Sequence, residues 1–369
     1  MGSLLFSPFE LRELTLGNRI VVSPMGQCSA ENGSATGWHM MHVGSMAISG
    51  AGLVIIEATA VHADGRHMPH DLGLWCDDNA AALEPVIALC RKHGRAKLGI
   101  QLWHAGRKGS VSVSWKGQTP LRREDGGWTV RAASDIPYPG RLVPEPLTED
   151  GIRAVIASYV GAAKRADALG LDLLEIHGAH GYLIHNFLSP LANHRADGYG
   201  GSRAGRMRFA LEVFAAVREV WPARKPMGMR ISSTDWAPGG WDIEDSVELA
   251  QALRKLGCDY ITASSGGSVA EQKIPVAPGY QVPFAERIRR EAGIPTMAIG
   301  LITQPRQAEA ILASGSADLV ALARGMLSNP RWPWDAAIEL GEEIPYPPQY
   351  ERAHPSMRGG DFLKPRREG

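Results

Sequence analysis

The chain has 369 residues, of which 44% are hydrophobic, and its 39 Lys and Arg residues balance its 39 Asp and Glu residues. Such a composition can build a large core but creates no basic field, which argues against nucleic acid or a membrane surface as a partner. No run of 18 apolar residues and no secretion leader is present, so we expect a cytoplasmic protein. The four cysteines lie far apart, which disfavours a zinc site or a disulfide framework.

Short apolar segments alternate with segments of helical period along the chain. Strands are predicted at residues 19–23, 53–58, 97–103, 171–177, 227–232, 260–264, 296–300 and 319–323. Helices are predicted at residues 38–49, 79–93, 149–169, 203–220, 243–256, 283–291 and 304–313, with a last helix starting near residue 332. Because a helix follows every strand, the order predicts an α/β fold, a single (β/α)8 TIM barrel over residues 1–343.

Two segments depart from this regular alternation. Residues 105–147 separate the third strand from its helix and carry Trp115, Trp128 and Tyr138. A long aromatic-bearing connection over a barrel mouth is usually a lid or an interface, and the alternative is a packed cover that does not move. After the barrel comes an extended C-terminal segment, residues 344–357, and then residues 358–369, which are rich in Arg, Pro and Gly and predicted to be disordered.

Three side chains suited to catalysis follow the fourth predicted strand. His177, His180 and Tyr182 come directly after the apolar run at residues 171–176. The carboxyl ends of barrel strands are where α/β enzymes place their chemistry. Imidazoles can hold a carbonyl or an anion, and a phenol can give up a proton. No third ligand accompanies the two histidines at metal-binding spacing, so we predict no metal.

The ends of the other strands predict a flavin. The segments after strands six to eight, residues 264–267, 300 and 324–325, are small, rich in backbone amides and cationic, as phosphate sites in barrels are. Earlier in the barrel, Ser23, Gln101 and Arg230 could hydrogen-bond the edge of a flat redox ring. A site for a flat redox ring together with a site for a phosphate indicates FMN. Alternatives stay open for single residues: the glycine-rich loop as a plain turn, Gln101 as an internally satisfied residue, or the arginines as ion-pair partners of Glu57 or Glu175.

These residues resemble the old yellow enzyme family of FMN-dependent ene-reductases, in its thermophilic-like branch with the xenobiotic reductases. The likeness runs through nearly the whole chain and is densest at residues 175–190, EIHGAHGYLIHNFLSP. It continues through Asn193, Arg195, Asp197, the YGGS at residues 199–202, and Arg206.

The resemblance implies tightly bound FMN, reduced by NADPH or NADH. It also implies a ping-pong reaction in which flavin N5 gives a hydride to Cβ of an α,β-unsaturated carbonyl or nitro compound and Tyr182 protonates Cα. FMN contacts are implied for Ser23, Pro24, Met25, Gly26, Ala58, Gln101, His177, Arg230, Ser265, Gly266, Gly300, Ala323 and Arg324. Substrate contacts are implied for Cys28, His177, His180, Tyr182 and Arg352.

Relatives in this branch also place a C-terminal arginine in a neighbouring subunit's site. Arg352 matches it, so the resemblance implies a homodimer or a higher homo-oligomer with Arg352 acting in trans. The alternative is a cap on the subunit's own barrel.

Three positions depart from the family pattern. Gly26 replaces a cysteine beside the flavin, Cys28 replaces a tyrosine that contacts substrate, and Ala323 replaces a glycine. The first two should widen the pocket and alter the flavin potential, whereas Ala323 is tolerable if its φ is negative. Because Gly26 and Cys28 depart from the family pattern, two alternative functions stay open. One is a related FMN barrel with another physiological reaction, such as dealkylation or oxidation, and the other is a low-turnover flavin-binding protein.

Overall fold

The computed structural model describes residues 2–357, so the prediction of disorder for residues 358–369 lies outside the described part. The strands, numbered in chain order, are β1 (Phe9–Leu11), β2 (Leu14–Leu16), β3 (Ile20–Val22), β4 (Leu53–Ala60), β5 (Lys97–Trp103), β6 (Arg131–Ala132), β7 (Glu145–Pro146), β8 (Leu173–Gly178), β9 (Met227–Ser232), β10 (Tyr260–Ser264), β11 (Thr296–Ala298) and β12 (Leu319–Leu322). Eight of them close a parallel barrel in the order β3-β4-β5-β8-β9-β10-β11-β12. The predicted (β/α)8 barrel is confirmed.

The helices surround this barrel. They are α1 (Gly37–Ala47), α2 (Asp77–His93), α3 (Glu149–Ala168), α4 (Leu183–Leu188), α5 (Arg203–Val220), α6 (Ile243–Lys255), α7 (Val282–Ala292), α8 (Pro305–Ala313), α9 (Arg324–Ser328) and α10 (Trp332–Leu340). Helix starts follow the sequence signals, since Thr148 caps α3 and Asp242 forms a capping box on α6. Among residues 2–357, no helix combines the length and apolarity needed to cross a bilayer.

Some predicted bounds were wrong. The seventh strand ends at Ala298 rather than at residue 300, because Gly300 has a φ of +107°, which breaks the extended backbone. The short helices α4 and α9 and the hairpin β1–β2 were not predicted. The hairpin packs Leu11, Leu14 and Leu16 against the lowest inward-facing side chains of the barrel, so it closes the end opposite the carboxyl ends of the strands.

Alternation along the strands decides what lies inside the barrel. On β8, Leu173 belongs to the apolar plug at the lower end, and Glu175 and His177 follow it on the same face. Their paired neighbours include Gln101 on β5 and Arg230 on β9. The interior therefore changes from apolar to polar toward the carboxyl ends, where His177 is the last inward residue of its strand.

The long connection at residues 105–147 is anchored to the barrel mouth. It forms short turns and the small parallel pair β6–β7. Arg107 Nη2 donates to Ser268 O at 2.5 Å, and Lys108 Nζ donates to His180 O at 2.8 Å. The start of the connection thus braces the loops after β8 and β10, while its role as a lid stays a prediction.

Candidate active site

Two cavities adjoin at the carboxyl ends of the barrel strands. The first, of about 250 Å³, is here called the Tyr182 cavity and is lined by Pro24, Gly26, Cys28, Ala58, Gln101, Trp103, His177, Tyr182 and others. The second, of about 260 Å³, is called the Arg324 cavity and is lined by Ser23, Ser265, Gly300, Ala323, Arg324 and others. His180 and Arg230 line both cavities, which joins them into one groove.

Most residues expected at the site therefore lie together. Met25, Gly266 and Arg352 line neither cavity. The side chain of Met25 packs against the hydrophobic core, and Gly266 faces Gln272. Arg352 is exposed on the C-terminal segment, which packs through Tyr346 on Trp334 of its own subunit.

The two histidines and the tyrosine form a compact cluster. His177 Nε2 lies 3.3 Å from His180 Nδ1, and the ring centroids of His177 and Tyr182 are 5.2 Å apart. His180 Nε2 lies 2.6 Å from Ser264 Oγ, and its backbone amide donates to Ser232 Oγ at 2.9 Å. Ser232 on β9 and Ser264 on β10 therefore position His180, which lies in the loop after β8.

Burial sets the protonation of this cluster. Desolvation, followed by the positive charge of Arg230, holds the pKa values of His177 and His180 well below the usual range, so both imidazoles are neutral. His177 Nδ1 accepts a hydrogen bond from the amide of Ala179, which leaves the proton on Nε2 as a donor. Burial raises the pKa of Tyr182, so its phenol stays protonated. The cluster thus contains two neutral imidazoles and one protonated phenol.

Gly181 is required by the backbone between His180 and Tyr182. Its φ is +71°, and a Cβ at this position would lie 2.1 Å from Gly267 O. A side chain would therefore push the loop after β8 away from the loop after β10. The glycine of this motif lets the two loops touch.

A buried polar network lies beneath the cluster. Glu175 Oε1 accepts from Gln101 Nε2 at 2.7 Å, and Glu175 Oε2 accepts from Thr262 Oγ1 at 2.5 Å. Burial raises the pKa of Glu175, and the positive charge of Arg230 opposes that shift. Arg230 Nη1 also donates to Ser23 Oγ at 3.4 Å. Glu175 and Ser23 therefore position Gln101 and Arg230, the two side chains expected at the edge of the flavin ring.

The free polar atoms of the groove fit FMN. Arg230 Nε is buried without a hydrogen-bond partner within residues 2–357, and a planar donor of this kind suits the polar edge of an isoalloxazine. At the other end, Arg324 is exposed and pairs with no carboxylate in the described chain. It lies beside Gly300 and Ser265, a combination that suits a phosphate.

Comparison with known proteins decides the family. Residues 4–343 match the NADH:flavin oxidoreductase / NADH oxidase family. An NADPH dehydrogenase of Geobacillus sp. (strain WCH70) is 48% identical over 355 residues, covering 95% of this chain and 99% of its own. One of Listeria monocytogenes serotype 4a is 46% identical over 354 residues, with the same coverage.

The chain belongs to this family.

Solved structures agree with this assignment. Morphinone reductase in complex with tetrahydroNAD is 26% identical, with a TM-score of 0.77 over 94% of this chain and 93% of its own. A 2-naphthoyl-CoA reductase, 21% identical, has a TM-score of 0.83 over 92% of this chain and 52% of its own, which reflects a shared fold. The protein is an NAD(P)H-dependent FMN oxidoreductase of the old yellow enzyme type, and the predicted cofactors are confirmed.

The structure of this flavin oxidoreductase explains two of its departures from the family pattern, at Gly26 and Ala323. A Cβ added at Gly26 would meet no protein atom within 4 Å, so packing within the chain does not require glycine at this position. Ala323 has a φ of −111°, which is the condition under which its methyl group is tolerated.

Cys28 fills a gap and also lines the Tyr182 cavity. It packs with Met68, Val111 and Val113, and its Sγ lies 3.5 Å from Met68 Sδ. Burial and the nearby Asp71 raise the pKa of the thiol to about 12, so it stays protonated. Cys28 therefore acts as a small apolar residue at the wall of the site.

Several lining residues of the flavin oxidoreductase were missed by sequence analysis. They are His67, Met68, Asp71, Ser114, Tyr280 and Gln281. Asp71 Oδ2 accepts from the amides of His67 and Met68, and burial raises its pKa to about 7. Because residues 61–74 follow β4, the rule that polar groups after a strand line the site could have found His67 and Asp71. No local signal marks Ser114, which lies in the long connection.

Proposed function

We propose that this protein is an ene-reductase that reduces the activated C=C bond of α,β-unsaturated carbonyl or nitro compounds by a ping-pong mechanism. The observation that carries the proposal is the cluster of two neutral imidazoles, with nitrogens 3.3 Å apart, beside a protonated phenol in a cavity continuous with the groove that suits FMN. This set matches an acceptor that needs its oxygen polarised and one carbon protonated.

Each residue has a distinct role in the proposal. Gln101 and Arg230 would hold the FMN ring edge, and Arg324 its phosphate. When bound, FMN supplies the hydride for Cβ of the acceptor after being reduced by NADPH or NADH. The imidazoles of His177 and His180 bind the carbonyl or nitro oxygen and stabilise the charge that develops there.

Tyr182 completes the reaction as the general acid. Its phenol proton moves to Cα of the acceptor, and the phenolate is reprotonated before the next turnover. The raised pKa of Tyr182 keeps this proton in place until charge develops on the substrate. A group that stayed ionised at neutral pH would have no proton to give.

The test uses the purified holoprotein under anaerobic conditions. We expect NADPH to bleach the yellow flavin absorbance and cyclohex-2-enone to restore it, with the saturated ketone as product. Bleaching without recovery on addition of enones or nitroalkenes would reject ene-reduction and favour another FMN oxidation or dealkylation. Failure of both NADPH and NADH to bleach the flavin would favour a low-turnover flavin-binding protein.

We also propose a homo-oligomer in which Arg352 reaches the site of a neighbouring subunit. Pro345, Pro347 and Pro348 line one cavity together with Gly17, Gly52 and Ala96, which lie at the amino ends of β3, β4 and β5, the end of the barrel opposite the site. Beside the site, α1 exposes Met41 and also Trp38, whose Nε1 donates to Gln27 Oε1 at 3.0 Å. An apolar surface there suits a second subunit.

Mixed oligomers test the arrangement. Tyr182→Phe and Arg352→Ala are prepared separately, then mixed under conditions that exchange subunits. If Arg352 acts in trans, half of the sites in a mixed dimer regain both native residues, and activity rises above that of either variant alone. No gain in a sample with verified subunit exchange would place Arg352 in cis or outside the site.

A further inference from the structure

We propose that Asp235 and His185, a buried pair behind the loop after β8, position Tyr182 by holding the backbone amide of Gly181. The pair acts through the backbone, so its members are positioning residues rather than catalytic ones. The inference rests on the proposed role of Tyr182 as proton donor and adds two residues on which that role depends.

Side chains of α4 bind both polar groups of Gly181. Gly181 N donates to His185 Nδ1 at 2.8 Å, and Gly181 O accepts from Asn186 Nδ2 at 2.8 Å. Gly181 separates His180 from Tyr182 in the chain. Two consecutive side chains therefore fix the orientation of the peptide groups on either side of Gly181.

The contact with Gly181 also determines the protonation of His185. An imidazole nitrogen that accepts a hydrogen bond carries no proton, so His185 is neutral with its proton on Nε2. Nε2 lies 2.9 Å from Asp235 Oδ1, and both side chains are fully buried. The N–H is not aligned with this oxygen as in a linear hydrogen bond, but a carboxylate at this distance in a dry site still favours the proton on Nε2.

Asp235 is itself held in place as an ionised group. Its Oδ2 accepts from Ser189 Oγ at 2.6 Å and from the amide of Trp241 at 2.9 Å. Burial would raise the pKa of Asp235, but the interactions with His185, Ser189 and Trp241 outweigh it and keep that pKa below its usual range. A fixed negative charge therefore faces His185 at neutral pH.

The buried pair should affect Tyr182 more than His180. His180 has an anchor outside its own loop, since its Nε2 lies 2.6 Å from Ser264 Oγ on β10. The amide of Tyr182 donates within the same loop, to Ala179 O at 3.2 Å. Because this bond closes the turn that contains Gly181, a rotation of the peptide before Gly181 would displace Tyr182 and its phenol.

Asp235→Asn tests the pair with little change in volume. Its amide oxygen can keep the bonds from Ser189 and Trp241, and its N–H then faces His185 Nε2, so the imidazole proton moves to Nδ1 and opposes the Gly181 amide. In anaerobic stopped-flow experiments on the holoprotein, saturating cyclohex-2-enone should reoxidise the NADPH-reduced flavin about 100-fold more slowly, as expected for a catalytic group misplaced by about 1 Å. Reoxidation by ferricyanide, which takes up electrons and no proton, should stay within twofold of the wild-type rate.

A second background separates positioning from a general structural defect. If Asp235 acts through Tyr182, Asp235→Asn should slow reoxidation by the enone less than threefold in a Tyr182→Phe protein, because the phenol that it positions is already absent. A loss by the same factor in both backgrounds would overturn the proposal.

Ser189→Ala is the matched control for Asp235→Asn. It removes a hydrogen bond from the same carboxylate but leaves Asp235 Oδ1 beside His185 Nε2. Its rate with the enone should stay within threefold of the wild-type rate. A loss as large as that in Asp235→Asn would also count against the role of the His185 tautomer and overturn the proposal.

If Asp235→Asn does not retain FMN, two variants at His185 decide. His185→Asn places an amide oxygen close to the position of Nδ1, where it can accept from Gly181, whereas His185→Leu offers no acceptor. Reoxidation by the enone should be at least tenfold faster in His185→Asn, and equal rates would overturn the positioning role. A wild-type flavin that NADPH bleaches and no enone reoxidises contradicts the ene-reductase function instead.

Discussion

Glu175 accepts a hydrogen bond from Gln101 at 2.7 Å inside the barrel, one layer below His177. The same carboxyl group accepts from Thr262 and interacts with the charge of Arg230. A buried carboxyl group thus lies behind two side chains that would contact the flavin, where it can influence the flavin electrostatically without touching substrate.

The first prediction concerns the flavin potential. Above its raised pKa, Glu175 carries a negative charge that disfavours the reduced, anionic flavin. Glu175→Gln should therefore raise the two-electron midpoint potential by about 30 mV, equivalent to about 1.4 kcal/mol, wherever the native carboxyl group is ionised. The difference should shrink as pH falls and the native carboxyl group is protonated. Spectroelectrochemical titrations over a range of pH measure the two potentials, and equal potentials in the two proteins at every pH would contradict the electrostatic role.

The second prediction concerns proton donation. Tyr182→Phe should slow flavin reoxidation by cyclohex-2-enone about 100-fold, a common contribution of a general acid, and change flavin reduction by NADPH little. Stopped-flow absorbance of the two half-reactions separates these effects. Tyr138→Phe is the matched control, because this phenol lies near Lys108 but lines neither cavity. Equal losses in both half-reactions would reject the role of Tyr182.

The third prediction compares two glycines at the site. Gly26→Ala should change the free energy of unfolding of the apoprotein by less than about 0.5 kcal/mol, because the added methyl group meets no protein atom within 4 Å. Gly181→Ala should cost about 1–3 kcal/mol, because its φ is +71° and Gly267 O lies in the path of the Cβ. Thermal unfolding of the two apoproteins measures the difference, and similar losses would show that the protein crowds position 26 more than the structure indicates.

Gly26→Cys carries a fourth prediction, on substrate range. The thiol would refill the space beside the flavin, so the rate with a 3-substituted cyclohexenone should fall relative to cyclohex-2-enone. The midpoint potential should also shift, since the polarity beside the ring changes. Steady-state kinetics on the two enones and a redox titration test these effects. An unchanged potential would mean that position 26 does not tune the flavin.

The fifth prediction concerns pH. Lys108 Nζ lies 5.4 Å from the centroid of the Tyr182 ring, and burial lowers the pKa of Lys108 to about 7. The ammonium group is therefore lost as pH rises through about 7, and with it a charge that stabilises the developing phenolate. Reoxidation by enone should slow about threefold between pH 6 and pH 8. Lys108→Met should lack this step, and a variant that retained it would assign the titration to another group.

Much of the site was predictable because parallel strands bring their carboxyl ends together. The inward position of His177 follows from the two-residue period of β8, and Gln101 and Arg230 follow from the same alternation on β5 and β9. Gly300 and Arg324, which line the Arg324 cavity, follow from the same reasoning about strand ends. Site residues in loops were harder to predict from the sequence, because a loop has no periodicity that indicates the direction of a side chain.

The sequence by itself determined the barrel, the cofactor class and the histidine–tyrosine cluster, since each depends on local periodicity or on a contiguous motif. Only the tertiary structure decided that Cys28 packs with Met68, that His67 lines the Tyr182 cavity, and that the segment before Arg352 lies at the far end of its own barrel. These arrangements depend on contacts between loops and segments far apart in the chain. Packing and desolvation set such contacts, and neither leaves a local pattern in the sequence.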